Sequence, residues 1–171
     1  MKPIYLLTGQ PGTGKTSLIK QVIGDTDIDA GGFYTEEIRA GKTRTGFRIV
    51  TLDGHEAVLS HIDYNKRFQV GKYGVDINAL NEVGVTAILK AIECNNLVVV
   101  DEIGRMELLS EDFRNAVQKI IDSGKRTLGT IMRNQDPFTD NIKRRAQVNL
   151  LTLTMGNYNR TLKDIKDWLA T

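Results

Sequence analysis

Of the chain's 171 residues only Cys94 is a cysteine, so no disulfide can close within it. A reducing compartment, the cytoplasm, is the expected setting. The two histidines, His55 and His61, stand at no metal-ligand spacing to each other or to Cys94, and all three are assigned structural roles. No apolar stretch approaches the ~20 residues of a membrane-spanning helix. The run Ile4 to Leu7 is too short for the hydrophobic region of a secretory leader. Charge of one sign is also lacking: 23 basic residues face 21 acidic ones, a net +2 spread along the chain. That balance singles out neither a membrane nor nucleic acid as partner. Repeats, low-complexity tracts and Pro- or Ser-rich linkers are absent. What remains, with 40% hydrophobic residues, has the size of one domain, 1–171, with one sizeable core. Composition leaves the oligomeric state open, with a monomer as the expectation.

Against this plain background one segment stands out. Gly9, Gln10, Pro11, Gly12, Thr13, Gly14, Lys15 and Thr16 match G-x-x-x-x-G-K-[ST], the Walker A phosphate loop. Glycines let backbone N–H groups turn inward around phosphate oxygens, and Lys15 reaches the β- and γ-phosphates. The Thr16 hydroxyl is a Mg²⁺ ligand, and the next helix points its positive end at the anion. The flanks suit the motif: Ile4 to Leu7 predicts a short buried strand, and Lys15 to Ile23 predicts a helix stopped by Gly24. A glycine-rich turn alone would not require Lys15 and Thr16 at those offsets.

Further along, residues 32–39 and 45–52 flank the turn Ala40-Gly41-Lys42 and predict an antiparallel hairpin, with a short strand at Ala57 to Leu59. Apolar spacing from Ile77 to Ile92 predicts a helix over 76–93 with Asp76 as its N-cap. Leu97, Val98, Val99 and Val100 form a β-branched run typical of a strand buried on both faces. Ser110 caps a helix with Phe113, Val117, Ile120 and Ile121 inward and Gly124 at its end. Strands are expected at Thr127 to Ile131 and Val148 to Leu153. A last helix begins near Asn159, with Trp168 as a core anchor rather than a stacking platform. Strands alternating with helices after residue 76 imply parallel connections, hence a three-layer α/β/α sandwich whose mixed sheet includes an inserted antiparallel hairpin.

A phosphate loop needs an acid that holds Mg²⁺, usually at the end of a neighbouring buried strand. Asp101, directly after Leu97 to Val100, fits this Walker B pattern. Glu102 diverges from it, as adjacent side chains at a strand end do, and is placed to orient and deprotonate an attacking water. The bland alternative for Glu102 is a solvated loop carboxylate. Gly104, after Ile103, lets the loop turn beside the phosphates.

With these residues in place, the chain resembles the THEP-type nucleoside-triphosphatases, a branch of the P-loop superfamily. The likeness runs nearly end to end through Thr8 to Thr16, Gly32 to Glu37, Val70 to Asp76, Asp101 to Leu108 and the pair Asn159-Arg160. It implies a RecA-like P-loop core and slow Mg²⁺-dependent hydrolysis of ATP, GTP, CTP, UTP and similar triphosphates, with loose base preference. It also implies nucleotide binding by Gly9 to Thr16 and by Leu97 to Gly104. The chain departs from relatives at Arg105, where lysine is common, at Gln69, where arginine is expected, and at Met132 to Asn134, where a proline usually follows the isoleucine. Arg105, Arg133, Arg144, Arg145 and Arg160 are the candidates for a charge-neutralising arginine finger. Phe33 and Tyr34 are candidates to pack on a base, and Glu36 and Glu37 to line the site mouth. Two other functions share the fold: a nucleotide or nucleoside kinase, although no distinct lid insertion is visible, and a module that couples nucleotide state to a partner or nucleic acid.

Overall fold

The computed structural model describes residues 1–171. Strand β1 (Ile4–Thr8) is buried along its whole length and leads through the phosphate loop into helix α1 (Lys15–Asp25). Gly24 does not stop this helix. It lacks the positive φ of a helix-ending glycine, and the chain turns extended only at Thr26, whose hydroxyl donates back to the Val22 carbonyl at 2.8 Å. One glycine inside a helix costs only about 1 kcal/mol, which the packing of Leu18, Ile19 and Val22 offsets.

The expected hairpin is β2 (Ala30–Ala40) and β3 (Thr43–Thr51) around the turn Gly41-Lys42. It continues through β4 (Glu56–His61) into two three-residue strands that the sequence does not announce, β5 (Phe68–Val70) and β6 (Tyr73–Val75). Asp76 caps the following helical segment as expected, accepting from Ala79 N at 3.0 Å. That segment is not a uniform helix: α2 (Ile77–Ala79) widens into a π-helical stretch (Leu80–Val85) before α3 (Thr86–Cys94). The wider turn buries Leu80, Gly84 and Val85 together.

Strand β7 (Leu97–Ile103) is followed by a 3₁₀ turn (Glu107–Leu109) and helix α4 (Glu111–Ser123), which ends at left-handed Gly124. The buried Ser110 hydroxyl accepts from Phe113 N at 3.0 Å and donates to Asn81 Oδ1, tying α4 to the π-helical stretch. Ser110→Ala should therefore cost about 1–2 kcal/mol, seen as a lower denaturant midpoint at unchanged slope. After β8 (Thr127–Ile131) comes α5 (Pro137–Lys143), a helix the sequence reading missed. Its signal was there: Asp136 caps it and Pro137 sits at the first turn, where a missing N–H is harmless. Strand β9 (Val148–Thr152) and helix α6 (Tyr158–Ala170) close the fold.

All nine strands form one sheet in the order β5-β6-β4-β3-β2-β7-β8-β1-β9. The run from β2 to β9 is parallel, and β3, β4, β6 and β5 extend it antiparallel. The hairpin is thus less an insertion than a widening of the core sheet, because β2 pairs in parallel with β7 on its other side. Helices α1 and α6 pack on one face over Tyr5, Leu7, Leu97 and Val99. Helices α3 and α4 cover the opposite face over Ile4, Leu6, Val98 and Val100. The expected three layers follow. Trp168 anchors α6, its ring 5.6 Å from that of Tyr5 and its Nε1 donating to the Lys2 carbonyl. No helix is long and apolar enough to cross a membrane.

Candidate active site

At the C-terminal end of β1 the chain turns through Gly9, Gly12 and Gly14, all with positive φ. Gly9 has no room for a side chain either, since a β-carbon there would stand 2.5 Å from the Leu153 carbonyl oxygen. Gln10, Pro11 and Thr13 complete the turn, which the Thr13 hydroxyl braces by donating to the Gln10 carbonyl at 2.9 Å. Lys15 opens α1, and its Nζ lies across the loop, donating to the Gly9 and Gln10 carbonyls at 2.9 Å each. The free N–H groups and the dipole of an eleven-residue helix converge on this concavity.

The acid lies on β7, which is not the neighbour of β1: β8 stands between them. The pairing of β7 with β8 runs Val100 to Gly129 and then Ile103 to Ile131, so Asp101 and Glu102 together oppose Thr130. Two residues facing one is a β-bulge, which re-aims side chains at a strand end. Both acids lie within the strand, not in a loop after it. Asp101 turns to the loop face, accepting from Thr16 Oγ1 at 2.8 Å and Thr130 Oγ1 at 2.7 Å. The Thr35 backbone N–H lies 3.4 Å from the oxygen that accepts from Thr16. Thr130 therefore spans the intervening strand, a role invisible in the sequence because nothing local marks it. Burial pushes the Asp101 carboxyl above the usual range, against the pull of these hydrogen bonds and of Lys15.

Glu102 lines a cavity of about 220 Å³ with Thr35, Phe47, Leu59, Arg105 and Met132. Burial also raises its carboxyl, followed by repulsion from Asp101, while Lys15 pulls it down. Ile103 and Gly104 are buried just beyond. Leu97, Val98, Val99 and Val100 are completely buried in the two cores. They hold the strand in place and present no side chain to a ligand.

The other candidates disperse. Of the five arginines, Arg105 alone lines the cavity, while Arg133, Arg144, Arg145 and Arg160 are exposed. Arg145 reaches Asn141, and Arg160 lies 3.9 Å from Asp164. Phe33 is a core residue. Tyr34 lies half-buried beneath Lys20 Nζ, and burial together with nearby Asp101 pushes its hydroxyl up to about 12. Glu36 pairs with Lys20 and Arg48, and Glu37 with Arg39 and Arg44, on the hairpin surface. Gln69 is exposed and bonds to Lys66, and both histidines sit beside aspartates, Asp53 and Asp63.

The donor set suits one kind of metal. No cluster of three or more His, Cys, Asp or Glu side chains is placed to hold an ion. A hydroxyl and a carboxylate oxygen held 2.8 Å apart match the sparse, hard-oxygen ligation of Mg²⁺, which keeps most of its waters.

Comparison with known proteins gives the family of the chain. A protein-family model described as NTPase matches residues 4–166. Nucleoside-triphosphatase THEP1 of Thermotoga maritima is 47% identical over 160 residues, which cover 94% of this chain and 91% of that protein. This chain belongs to the THEP1 nucleoside-triphosphatase family. The human cancer-related nucleoside-triphosphatase is 35% identical, across 93% of this chain and 92% of its own. The crystal structure of THEP1 from Aquifex aeolicus superposes with a TM-score of 0.85 at 34% identity, covering 95% of both chains. The solution structure of the human protein superposes with a TM-score of 0.82 at 33% identity. The P-loop NTPase fold of this THEP1 family member thus agrees with the resemblance seen in the sequence.

Proposed function

We propose that this protein hydrolyses ATP, GTP, CTP and UTP to diphosphate and phosphate, slowly and with loose base preference, in a Mg²⁺-dependent reaction in the cytoplasm. The bulge at Asp101-Glu102 carries this reading, because it sends one carboxylate to the loop face and the other to the cavity. The backbone N–H groups of Gly9 to Thr16 cradle the β-phosphate, and Lys15 exchanges its carbonyl contacts for β- and γ-phosphate oxygens. Thr16 and Asp101 would hold Mg²⁺, which when bound offsets charge on the phosphate oxygens. Glu102 takes a proton from the attacking water as it approaches the γ-phosphorus in line with the leaving oxygen. Every group gathered at the loop addresses phosphate or metal, which supports loose base preference. The scarcity of arginine, Arg105 excepted, supports slow turnover.

Steady-state phosphate release from the four triphosphates, with and without Mg²⁺, tests this reading. Similar rates for all four, lost on chelation, are expected, whereas a strong preference for one base would refute the loose selectivity. Lys15→Ala should weaken nucleotide binding and lower turnover together, as seen by fluorescent-nucleotide titration beside the rate. The cavity next to Glu102 favours one second reading, phosphoryl transfer to an acceptor. Acceptor-dependent release of diphosphate without free phosphate would establish it.

A further inference from the structure

The β5–β6 end of the sheet carries an arrangement that hydrolysis does not use. Five of the chain's seven cation–π pairs gather between residues 44 and 73. About two are expected for a whole chain of this length, so the cluster belongs to this corner and not to composition. Arg44 leans over Phe47 at 5.0 Å and over Tyr73 at 5.8 Å, and its Nε donates to the Tyr73 hydroxyl at 2.9 Å. Lys72 lies over the same Tyr73 ring, Lys66 over Tyr64 and Arg67 over Phe68, at 5.5, 5.4 and 5.4 Å. Tyr64 is seated against Gly74 of β6, where a β-carbon would stand 2.7 Å from its own. Strands β5 and β6 have three residues each, and β5 ends the sheet with one backbone edge unpaired.

The positive charge of this corner is left open. From Tyr64 to Val75 the chain holds three cations and no acid. The flanking acids are occupied: Asp63 lies 3.6 Å from His61, and Asp76 caps α2 and lies 3.7 Å from Lys66. Arg44 shares its charge with Glu37, whereas Arg67 and Lys72 pair with no carboxylate. A ring holds an exposed cation about as well as a carboxylate does, ~0.5–1 kcal/mol against ~0–1, but leaves the charge uncancelled. The result is a positive sheet edge with rings set among the charges, half-buried at Phe47, Tyr64 and Phe68. Shielding an edge needs charge but no rings. A nucleic-acid strand uses both, since cations meet its phosphates while ring faces and guanidinium planes take its unpaired bases.

We propose that the β5–β6 corner docks a single-stranded polynucleotide, its phosphates on Lys66, Arg67 and Lys72 and its bases against Tyr64 and Phe68. Phe47 and Val70 also line the cavity beside Glu102, so the bound strand lies next to that cavity and outside the phosphate loop.

Fluorescence anisotropy of a labelled oligothymidylate of about 20 nucleotides tests this on the full chain, with excess Mg²⁺-ADP occupying the phosphate loop. Log K should fall linearly with log salt at a slope of about −2, as three phosphate contacts at ~0.7 each require. Arg67→Glu with Lys72→Glu should weaken binding at least about tenfold, while ATP hydrolysis and the melting temperature stay at wild type. Lys119→Glu with Lys125→Glu, on α4 and just beyond it, changes net charge equally and should leave binding within about twofold. Arg67→Gln with Lys72→Gln introduces no repulsion and should lower the slope by about 1.4. No binding, equal loss in the two glutamate pairs, or an unchanged slope in the glutamine pair would overturn the proposal. Tighter binding of a duplex of the same length, or of equimolar phosphatidylserine–phosphatidylcholine vesicles, would overturn it too by assigning the charges to another partner.

Discussion

Glu102→Gln is expected to bind nucleoside triphosphate as tightly as the wild type and to turn it over ~10²–10⁴-fold more slowly. The substitution preserves shape and leaves the loop, Thr16 and Asp101 untouched, so the phosphate contacts persist. What it removes is the acceptor for the water's proton, and an amide oxygen is too weak a base to replace it. The effect should appear in kcat alone, with KM and the nucleotide dissociation constant unmoved. A rate within threefold of wild type would assign proton acceptance elsewhere.

Asp101→Asn should separate stability from activity even more sharply. Asp101 is almost fully buried, and its carboxyl is raised by that burial. A carboxyl that holds its proton more tightly folded than unfolded makes the folded state lose stability as pH rises from the ordinary aspartate range through the folded pKa. Asparagine carries no such charge; its amide oxygen accepts from one threonine hydroxyl, and its NH₂ donates to the other, which turns to accept. The variant should therefore melt no lower than wild type near pH 8, its advantage should shrink towards pH 4, and the melting curves at the two pH values test the sign. Catalysis should move the other way. Without an anionic oxygen beside Thr16, Mg²⁺-supported turnover should drop by ~10²-fold or more, since the metal contributes several kcal/mol to the transition state. A variant that melts lower yet hydrolyses normally would show that Asp101 serves only the fold.

The parts of this site written in consecutive residues were legible beforehand. The phosphate loop, the buried run Leu97 to Val100 and the cap at Ser110 each carry a local pattern that the structure reproduces. What the sequence hid is what depends on register. Which strand lies between β1 and β7, and hence that Thr130 rather than a loop residue braces Asp101, is decided by long-range pairing. The bulge has no signature in Val-Asp-Glu-Ile. Glu107 lies within the run Asp101 to Leu108, yet its burial beside the cavity shows only once the 3₁₀ turn folds back near Gly104. Gly24 misled for the opposite reason, a local stop signal overridden by packing, whereas α5 was missed although its Asp-Pro start was in plain view.

The seat of Trp168 on the Lys2 carbonyl has a practical side. It brings the last turn of α6 against the first residues of the chain, so that the Thr171 hydroxyl reaches Met1 Sδ at 3.0 Å. Both ends therefore emerge together at the N-terminal edge of β1, at the far end of that strand from the phosphate loop. A short linker joining Thr171 to Met1, with the chain reopened at the exposed Gly41-Lys42 turn, gives a circular permutant that leaves the phosphate loop, Asp101 and Glu102 where they stand.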